Sequence, residues 1–357
     1  MQNWVASYTN LQIPFWCSIL ELVRTHFAAA GGEEVPPRKF GKAAEPHRSK
    51  PQKNPEKNIG SNHILILGER KFFNPMTPDL LIDKTVHDYI VNNLQASLLS
   101  IGFSKNLVNE LTDNLKNLEV KKFGDKYSSE LNEVYSIGFF QRLVPQYFSR
   151  NVVPEIPDSN EVLDLGCGTG ILAKILVEEN KFQHITGIDL HSYPEWELFK
   201  NPKITFKIVS EKDFFDFISK EKPDTATLTW VLHHMERDEQ ERYVGYLYKA
   251  LATGACLVVL EDSYSTELPP ANDTGVYDSF MKFNEDDRRK IMGVYDWVAN
   301  KVLAQRDKVD IPLTYRTLEE WEKLFMDNGF SIVKKKFIGF PEKRDINTPQ
   351  SLLIVKK

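Results

Sequence analysis

Residues 161–170 read Glu161-Val162-Leu163-Asp164-Leu165-Gly166-Cys167-Gly168-Thr169-Gly170, and Ile171-Leu172-Ala173-Lys174-Ile175-Leu176-Val177 follows. Val162, Leu163 and Leu165 bracket a single acid, then glycine takes every second position. The apolar residues after the glycines recur at helical spacing. This is the pattern of a buried strand, a tight turn and the first turn of a helix. Glycines at such a turn permit positive φ and let a ligand approach the backbone. Unpaired N–H groups at the helix start favour a negatively charged ligand group.

Outward from this stretch the chain alternates. Pro154, Pro157 and Asp158 mark a boundary before it. Strands are expected at His184–Leu190, Ile204–Val209, Thr225–Val231 and Cys256–Leu260, with helices over Asp213–Lys220 and Glu239–Leu251. Strand and helix at this pitch imply an α/β fold: a mainly parallel sheet with helices on both faces. Asn284 is placed to cap a long helix, and Thr317-Leu318-Glu319-Glu320 is a capping box. No helix separates Ser331–Phe340 from Ser351–Lys357, so these two pair as an antiparallel C-terminal hairpin.

Before the boundary the reading is helical. Leu80, Val86, Tyr89, Ile90 and Leu94 form one stripe, Leu107, Leu111 and Leu115 a second, and Glu130–Phe148 a third helical stretch. Order is expected to return near Ile64-Leu65-Ile66-Leu67. The organisation expected is therefore a weakly ordered leader over 1–60, an N-terminal helical cap over 61–150, and a ligand-binding domain over 151–357. Gly31–Asn58, rich in Pro, Lys, Glu and Gly, buries too little apolar surface to order itself. Leu11–Ala30 carries Glu21, Arg24 and His26 and lacks the basic start of a secretory signal. An amphipathic helix, an organelle-targeting segment and a loose extension all remain open for it.

The 357 residues are 41% hydrophobic and 27% charged, with a net charge of -5. Residues 1–60 carry a small basic excess and the remainder is acidic, which argues against a nucleic-acid partner. Cys17, Cys167 and Cys256 are scattered without metal-ligand or disulfide spacing. The cysteines are read as reduced and the protein as cytoplasmic. No apolar run reaches the ~18 residues of a membrane span, and no metal is expected.

Asp189 ends the second strand, 23 residues beyond Gly166. An acid at that place accepts hydrogen bonds from a ribose diol. A dinucleotide fingerprint needs a glycine where Ile171 stands, and a pyrophosphate does not call for Asp164 before the turn. An acid there suits a cofactor with an ammonium or sulfonium group, which points to S-adenosyl-L-methionine rather than NAD.

Asp164–Gly170, Gly187-Ile188-Asp189 and Pro223-Asp224 with Leu232-His233-His234-Met235 together resemble the motifs of class I S-adenosylmethionine-dependent methyltransferases. The resemblance covers about residues 120–357 and is similar to the small-molecule group that includes quinone-biosynthesis enzymes. It implies a Rossmann-like, seven-stranded sheet. It also implies that Asp164 and the turn, Gly166, Cys167, Gly168 and Gly170 included, hold the methionine end. Asp189 would take the ribose, Leu190 would pack on the adenine, and Glu211 would meet the adenine amine. Ser210-Glu211-Lys212-Asp213-Phe214 departs from the family pattern, so Asp213 is an alternative to Glu211.

Methyl transfer from a sulfonium is accelerated chiefly by holding donor and acceptor at attack distance. A general base is needed only where the acceptor must lose a proton. His233 and His234, after the fourth strand, are candidates for that base, or for a pair that positions the cofactor. Glu261, Asp262 and Tyr264, after the fifth, could orient or deprotonate an acceptor, or lie solvated at the rim. Trp230 reads as core, and Arg316 could pair with an acidic acceptor. The insert at about 263–310 is expected to be a lid. The function expected is methylation of a small organic acceptor, the partner of the site. The alternatives are a protein or RNA methyltransferase, or an inactive cofactor-binding partner protein.

Overall fold

The computed structural model describes residues 83–179, 182–272, 275–307, 309–341 and 348–357, all within the unit His63–Lys357. The expectations for the leader over 1–60, for Ile64–Leu67 and for Leu80 lie outside the described residues.

The cap begins with α1 (Lys84–Ile101) and α2 (Lys105–Asp113). Asp83 caps α1 by accepting from the Thr85 and Val86 amides at 2.7 and 3.2 Å, and Gly102 ends it at φ +111. Val86, Ile90, Leu94 and Leu98 form its buried stripe, at the i, i+4 spacing that puts them on one face. α3 (Val120–Glu130) runs into a wider, π-wound stretch, Leu131–Leu143, and then α4 (Val144–Asn151). The third helical stretch is thus longer than the periodicity suggests, because the π winding breaks the 3.6-residue repeat.

Seven strands make one sheet: β1 (Glu161–Leu165), β2 (His184–Asp189), β3 (Ile204–Ile208), β4 (Thr225–Thr229), β5 (Cys256–Asp262), β6 (Ser331–Gly339) and β7 (Gln350–Lys356). Their order is β3-β2-β1-β4-β5-β7-β6. The first five are parallel, and β7 lies antiparallel between β5 and β6. The expected Rossmann-like fold with its C-terminal hairpin is what the chain adopts. β1 is buried from Val162 to Leu165, as a central strand with both faces covered must be. The strand order reverses between β1 and β4, and the carboxyl ends of these strands form the crevice where such sheets bind ligands.

Five helices connect or cover the strands: α5 (Ile171–Glu178), α6 (Phe214–Glu221), α7 (Arg237–Ala250), α8 (Tyr277–Met281) and α9 (Glu285–Trp297). A π-wound turn, Val298–Leu303, extends α9, and α10 (Leu318–Asp327) precedes β6. Both caps expected here form. Asn284 accepts from the Asp287 amide at 2.9 Å, and Thr317 and Glu320 exchange bonds of 2.9 and 3.1 Å. In α9 every residue from Ile291 to Trp297 is buried. A helix buried all round is sunk into the molecule rather than laid on it, and α1 packs against it.

Candidate active site

The glycine turn is built as its spacing implies. Gly166, Gly168 and Gly170 take φ +66, +51 and +80, a region closed to most side chains. The amides of Gly166 and Cys167 both donate to the Ile188 carbonyl, at 2.9 and 3.0 Å, which ties the turn to β2. A Cβ at Gly166 would stand 2.7 Å from Val231, and one at Gly170 would run into Phe206. At Gly168 it would meet nothing within 4 Å. Two of the glycines are therefore required by packing, and the middle one faces open space.

Asp164 lies beneath this turn and is 1% exposed. Its Oδ1 accepts from the Thr227 hydroxyl at 2.7 Å, while Oδ2 has no hydrogen-bond partner among the described residues. Burial raises its pKa to about 7; the Thr227 bond opposes this and the charge of Asp189 adds to it. A buried carboxylate oxygen without a partner is costly, and a cationic ligand group relieves that cost. The ammonium of S-adenosylmethionine fits this atom.

Asp189 stands at the tip of β2. Its Oδ2 accepts from the Gly168 amide at 2.9 Å and its Oδ1 from the His191 amide at 3.0 Å. An ionised carboxylate has about four lone-pair sites, so two bonds fix its orientation and leave capacity for a ribose diol. Leu190, next to it, is an apolar side chain 37% exposed. Glu211 is exposed in the single turn Glu211–Asp213 after β3, and Asp213 accepts from the Ser210 hydroxyl at 2.6 Å. Cys167 is buried within the turn, and that burial raises its thiol pKa.

Two contributors were missed by sequence reasoning. Thr227 is a polar residue in a buried strand, directly opposite Asp164 in the β1–β4 register; that register was the available signal. Trp196 donates its indole N–H to the Gly168 carbonyl at 2.8 Å and stacks on Phe206 at 5.0 Å. No motif marks it.

Beyond the turn, β4 ends at Thr229, so Trp230 and Val231 lie outside the strand. Trp230 is not simple core. It is half-buried at φ +57, strained backbone for a bulky residue and of the kind that gathers at functional sites. Its ring packs on Phe148 and Tyr147 of α4, at 5.0 and 6.1 Å. The Tyr147 hydroxyl donates to Gln350 Oε1 and the Gln350 amide donates to Asp262 Oδ1, each at 2.6 Å. One hydrogen-bonded chain thus joins the cap, β7 and the end of β5.

His233 and Glu261 are both 2% exposed at the side chain, with Nδ1 and Oε2 2.5 Å apart. Glu261 Oε1 accepts from the Val231 and Leu232 amides at 3.0 and 2.7 Å. Burial alone would lower the His233 pKa, but the Glu261 carboxylate outweighs it and holds the value near 9. His234 donates from Nδ1 to the Asp310 carbonyl at 2.9 Å; burial and the neighbouring His233 charge push it down to about 4. Adjacent imidazoles therefore carry opposite states at neutral pH.

The solvated rim anticipated for Glu261, Asp262 and Tyr264 is absent, since all three are buried. Tyr264 packs on Phe280, with the Arg288 guanidinium 4.8 Å above its ring. Its side chain packs within the 263–310 insert, apart from the chain through Asp262. Arg316 is also buried, bonded to Gln240 at 2.6 Å and Glu241 at 3.2 Å. Those contacts use it structurally.

A mainly parallel sheet with an acid before a glycine turn and a second acid at the tip of β2 suits an enzyme that binds a nucleoside cofactor. The methyltransferase domain pattern matches residues 137–335. An uncharacterized methyltransferase of Anoxybacillus flavithermus (strain DSM 21510 / WK1) is 32% identical over 180 residues, covering 48% of this chain and 70% of that protein. The chain belongs to the methyltransferase domain family; it is an S-adenosylmethionine-dependent methyltransferase. Similar solved structures include the pyocyanin biosynthetic protein PhzM, at TM-score 0.45 and 13% identity, covering 78% of this chain and 75% of that one. Human N-acetylserotonin methyltransferase in complex with SAM has TM-score 0.40 and 18% identity, covering 76% and 67%. Among the described residues no helix is long and apolar enough to cross a membrane.

Proposed function

We propose that the protein methylates a small organic acceptor held at the tips of β4 and β5. The observation that carries this reading is the aromatic wall Trp230–Tyr147–Phe148 beside the buried chain Tyr147–Gln350–Asp262. Aromatic walls with few fixed polar groups suit a small organic molecule. Asp164 and Gly166–Gly170 hold the methionine end of the cofactor; Asp189, Leu190 and Glu211 hold its nucleoside end. When bound, S-adenosylmethionine supplies a sulfonium methyl that an acceptor atom takes by in-line displacement.

The chain's own part is to place the acceptor and keep water away. Tyr147 and Trp230 set one wall, and Gln350, with donor and acceptor both engaged, fixes the Asp262 carboxylate beneath it. His233 positions and does not take a proton. It is already an imidazolium paired with Glu261, so it has no lone pair with which to act as a base.

The test is a labelled-methyl transfer screen against a metabolite extract, run with wild type and Gln350→Leu. Wild type labels a low-mass product, and the variant loses about 10-fold or more in turnover, as expected for removing a hydrogen bond from a positioned network. Its S-adenosylhomocysteine affinity stays unchanged. Label appearing only in protein or RNA contradicts the proposal, as does full turnover in the variant.

A further inference from the structure

The far side of the histidine pair has a use beyond positioning. Glu261 occupies His233 Nδ1, which leaves Nε2 as the remaining ring nitrogen. His233, His234 and Asp296 each offer a donor atom, and these atoms lie within 4.8 Å of one another. Asp296 belongs to α9, the buried lid helix, and is 2% exposed. Two neutral groups hold its carboxylate: the Tyr315 hydroxyl donates to Oδ2 at 2.8 Å and the Asn300 amide to Oδ1 at 2.5 Å. Among the described residues its ion-pair partner is His234, at 3.8 Å and charged only if protonated, and the His233 ring also lies within 4.8 Å. No Lys or Arg among them forms an ion pair with it. A buried carboxylate favours a positive charge nearby, which His233 supplies in the metal-free protein and an ion would supply on displacing its proton.

The surroundings are those of a metal ligand set. Metal-bound histidines donate their second ring N–H to a carboxylate or a carbonyl, and ligating carboxylates are themselves hydrogen-bonded. Here Glu261 serves His233, while Tyr315 and Asn300 serve Asp296. Around an ion with bonds of roughly 2.0–2.1 Å, ligand atoms sit about 2.9–4.2 Å apart. The donor atoms of the three residues lie within 4.8 Å of one another, slightly outside that span, and the Asp310 carbonyl, which accepts from His234 Nδ1, leaves that ring's Nε2 for the ion. We propose that His233, His234 and Asp296 form a site for a divalent transition-metal ion of the zinc class, which fastens the lid helix to the loop after β4. Two imidazoles and a carboxylate are a borderline nitrogen and oxygen donor set that selects such an ion over calcium or magnesium. On binding, His233 forms its bond to the metal through Nε2 and releases the proton it carries there to solvent. The His234 side chain is 24% exposed against 3% for Asp296, so entry and a further coordination position lie on its side. The proposal is independent of the acceptor's identity.

The experiment uses the full chain without a histidine tag, stripped with a chelator and titrated with zinc(II) by calorimetry and with cobalt(II) by visible absorption. The expected result is one zinc per chain, a cobalt d–d spectrum of low coordination number, and a melting temperature raised by zinc. Asn300→Ala should weaken zinc by about 10-fold, and Asp296→Asn or His234→Ala by about 100-fold. S-adenosylhomocysteine binding in the same samples reports whether each variant has folded and whether the cofactor site stands. No saturable zinc binding to wild type overturns the proposal. Wild-type affinity in folded Asp296→Asn and His234→Ala overturns it equally, by placing the metal elsewhere.

Discussion

Gly166 and Gly168 share a turn, but different forces hold them. A side chain at Gly166 would be strained at φ +66 and would press on Val231, whereas at Gly168 only the backbone objects. Gly168→Ala should therefore cost about 1–2 kcal/mol of stability, yet it sets a methyl group in the open side of the cradle. The expected outcome is a small drop in melting temperature and a large loss of S-adenosylhomocysteine affinity. Gly166→Ala should lose stability more heavily than Gly168→Ala. Equal stability losses with unchanged affinity at Gly168 would remove it from the cradle. Asp164 makes the complementary case. Its pKa stands at about 7 against an ordinary 3.8, so the folded state keeps a proton that the unfolded state has lost. Its contribution to stability is full below pH 3.8 and is lost as pH rises towards 7. Thr227 and the φ values around it could be inferred from register and glycine spacing. The unpartnered oxygen could not, because it depends on which neighbours fail to reach it.

At the scale of elements, the His233–Glu261 pair ties the loop after β4 to the end of β5. Its linkage runs over a different pH range. His233 has a folded pKa of about 9 against an ordinary 6.5, so the stability it contributes is full below 6.5 and is lost as pH rises through 9. Glu261→Gln breaks a buried pair, a change that costs about 3–5 kcal/mol. Denaturant melts should show the variant less stable near pH 6 and without the wild-type decline between pH 6.5 and 9. A decline that persists in Glu261→Gln would assign it to another group. The strands and caps here were legible because hydrophobic period and cap chemistry are local. Asn284 and Thr317 announce their helices before any tertiary contact exists. The lid was harder. Ile291, Val294 and Trp297 suggest one apolar face, but Asp296 and Tyr295 are buried as well, and only their tertiary partners show why. Arg316 misled for the same reason: its partners Gln240 and Glu241 lie about 75 residues away, and charge alone suggested an acidic acceptor.

At the scale of the molecule, the described residues that form the sheet, the cap helices and the 263–310 insert frame the crevice between β1 and β4. These all fall within the unit His63–Lys357. A chain beginning at His63 should keep S-adenosylhomocysteine affinity within about 2-fold of the full chain, because binding contacts come from residues within that unit. Loss of binding on truncation would give the first 62 residues a part in the site. The cofactor was legible in the sequence because the cradle proposed for it is one contiguous motif plus one acid at fixed spacing. The proposed acceptor wall was not, since Tyr147, Trp230, Asp262 and Gln350 come from four separate segments. The claim on which all of this depends is that Asp164 awaits a cationic ligand group. The most direct measurement is S-adenosylhomocysteine calorimetry on Asp164→Asn at pH 8, paired with a thermal melt of the ligand-free protein. Asn keeps the shape and the Thr227 bond but removes the buried charge. The ligand-free variant should melt higher than wild type and bind the ligand about 10- to 100-fold more weakly, the loss of one charge-assisted hydrogen bond. Wild-type affinity in Asp164→Asn would contradict the account.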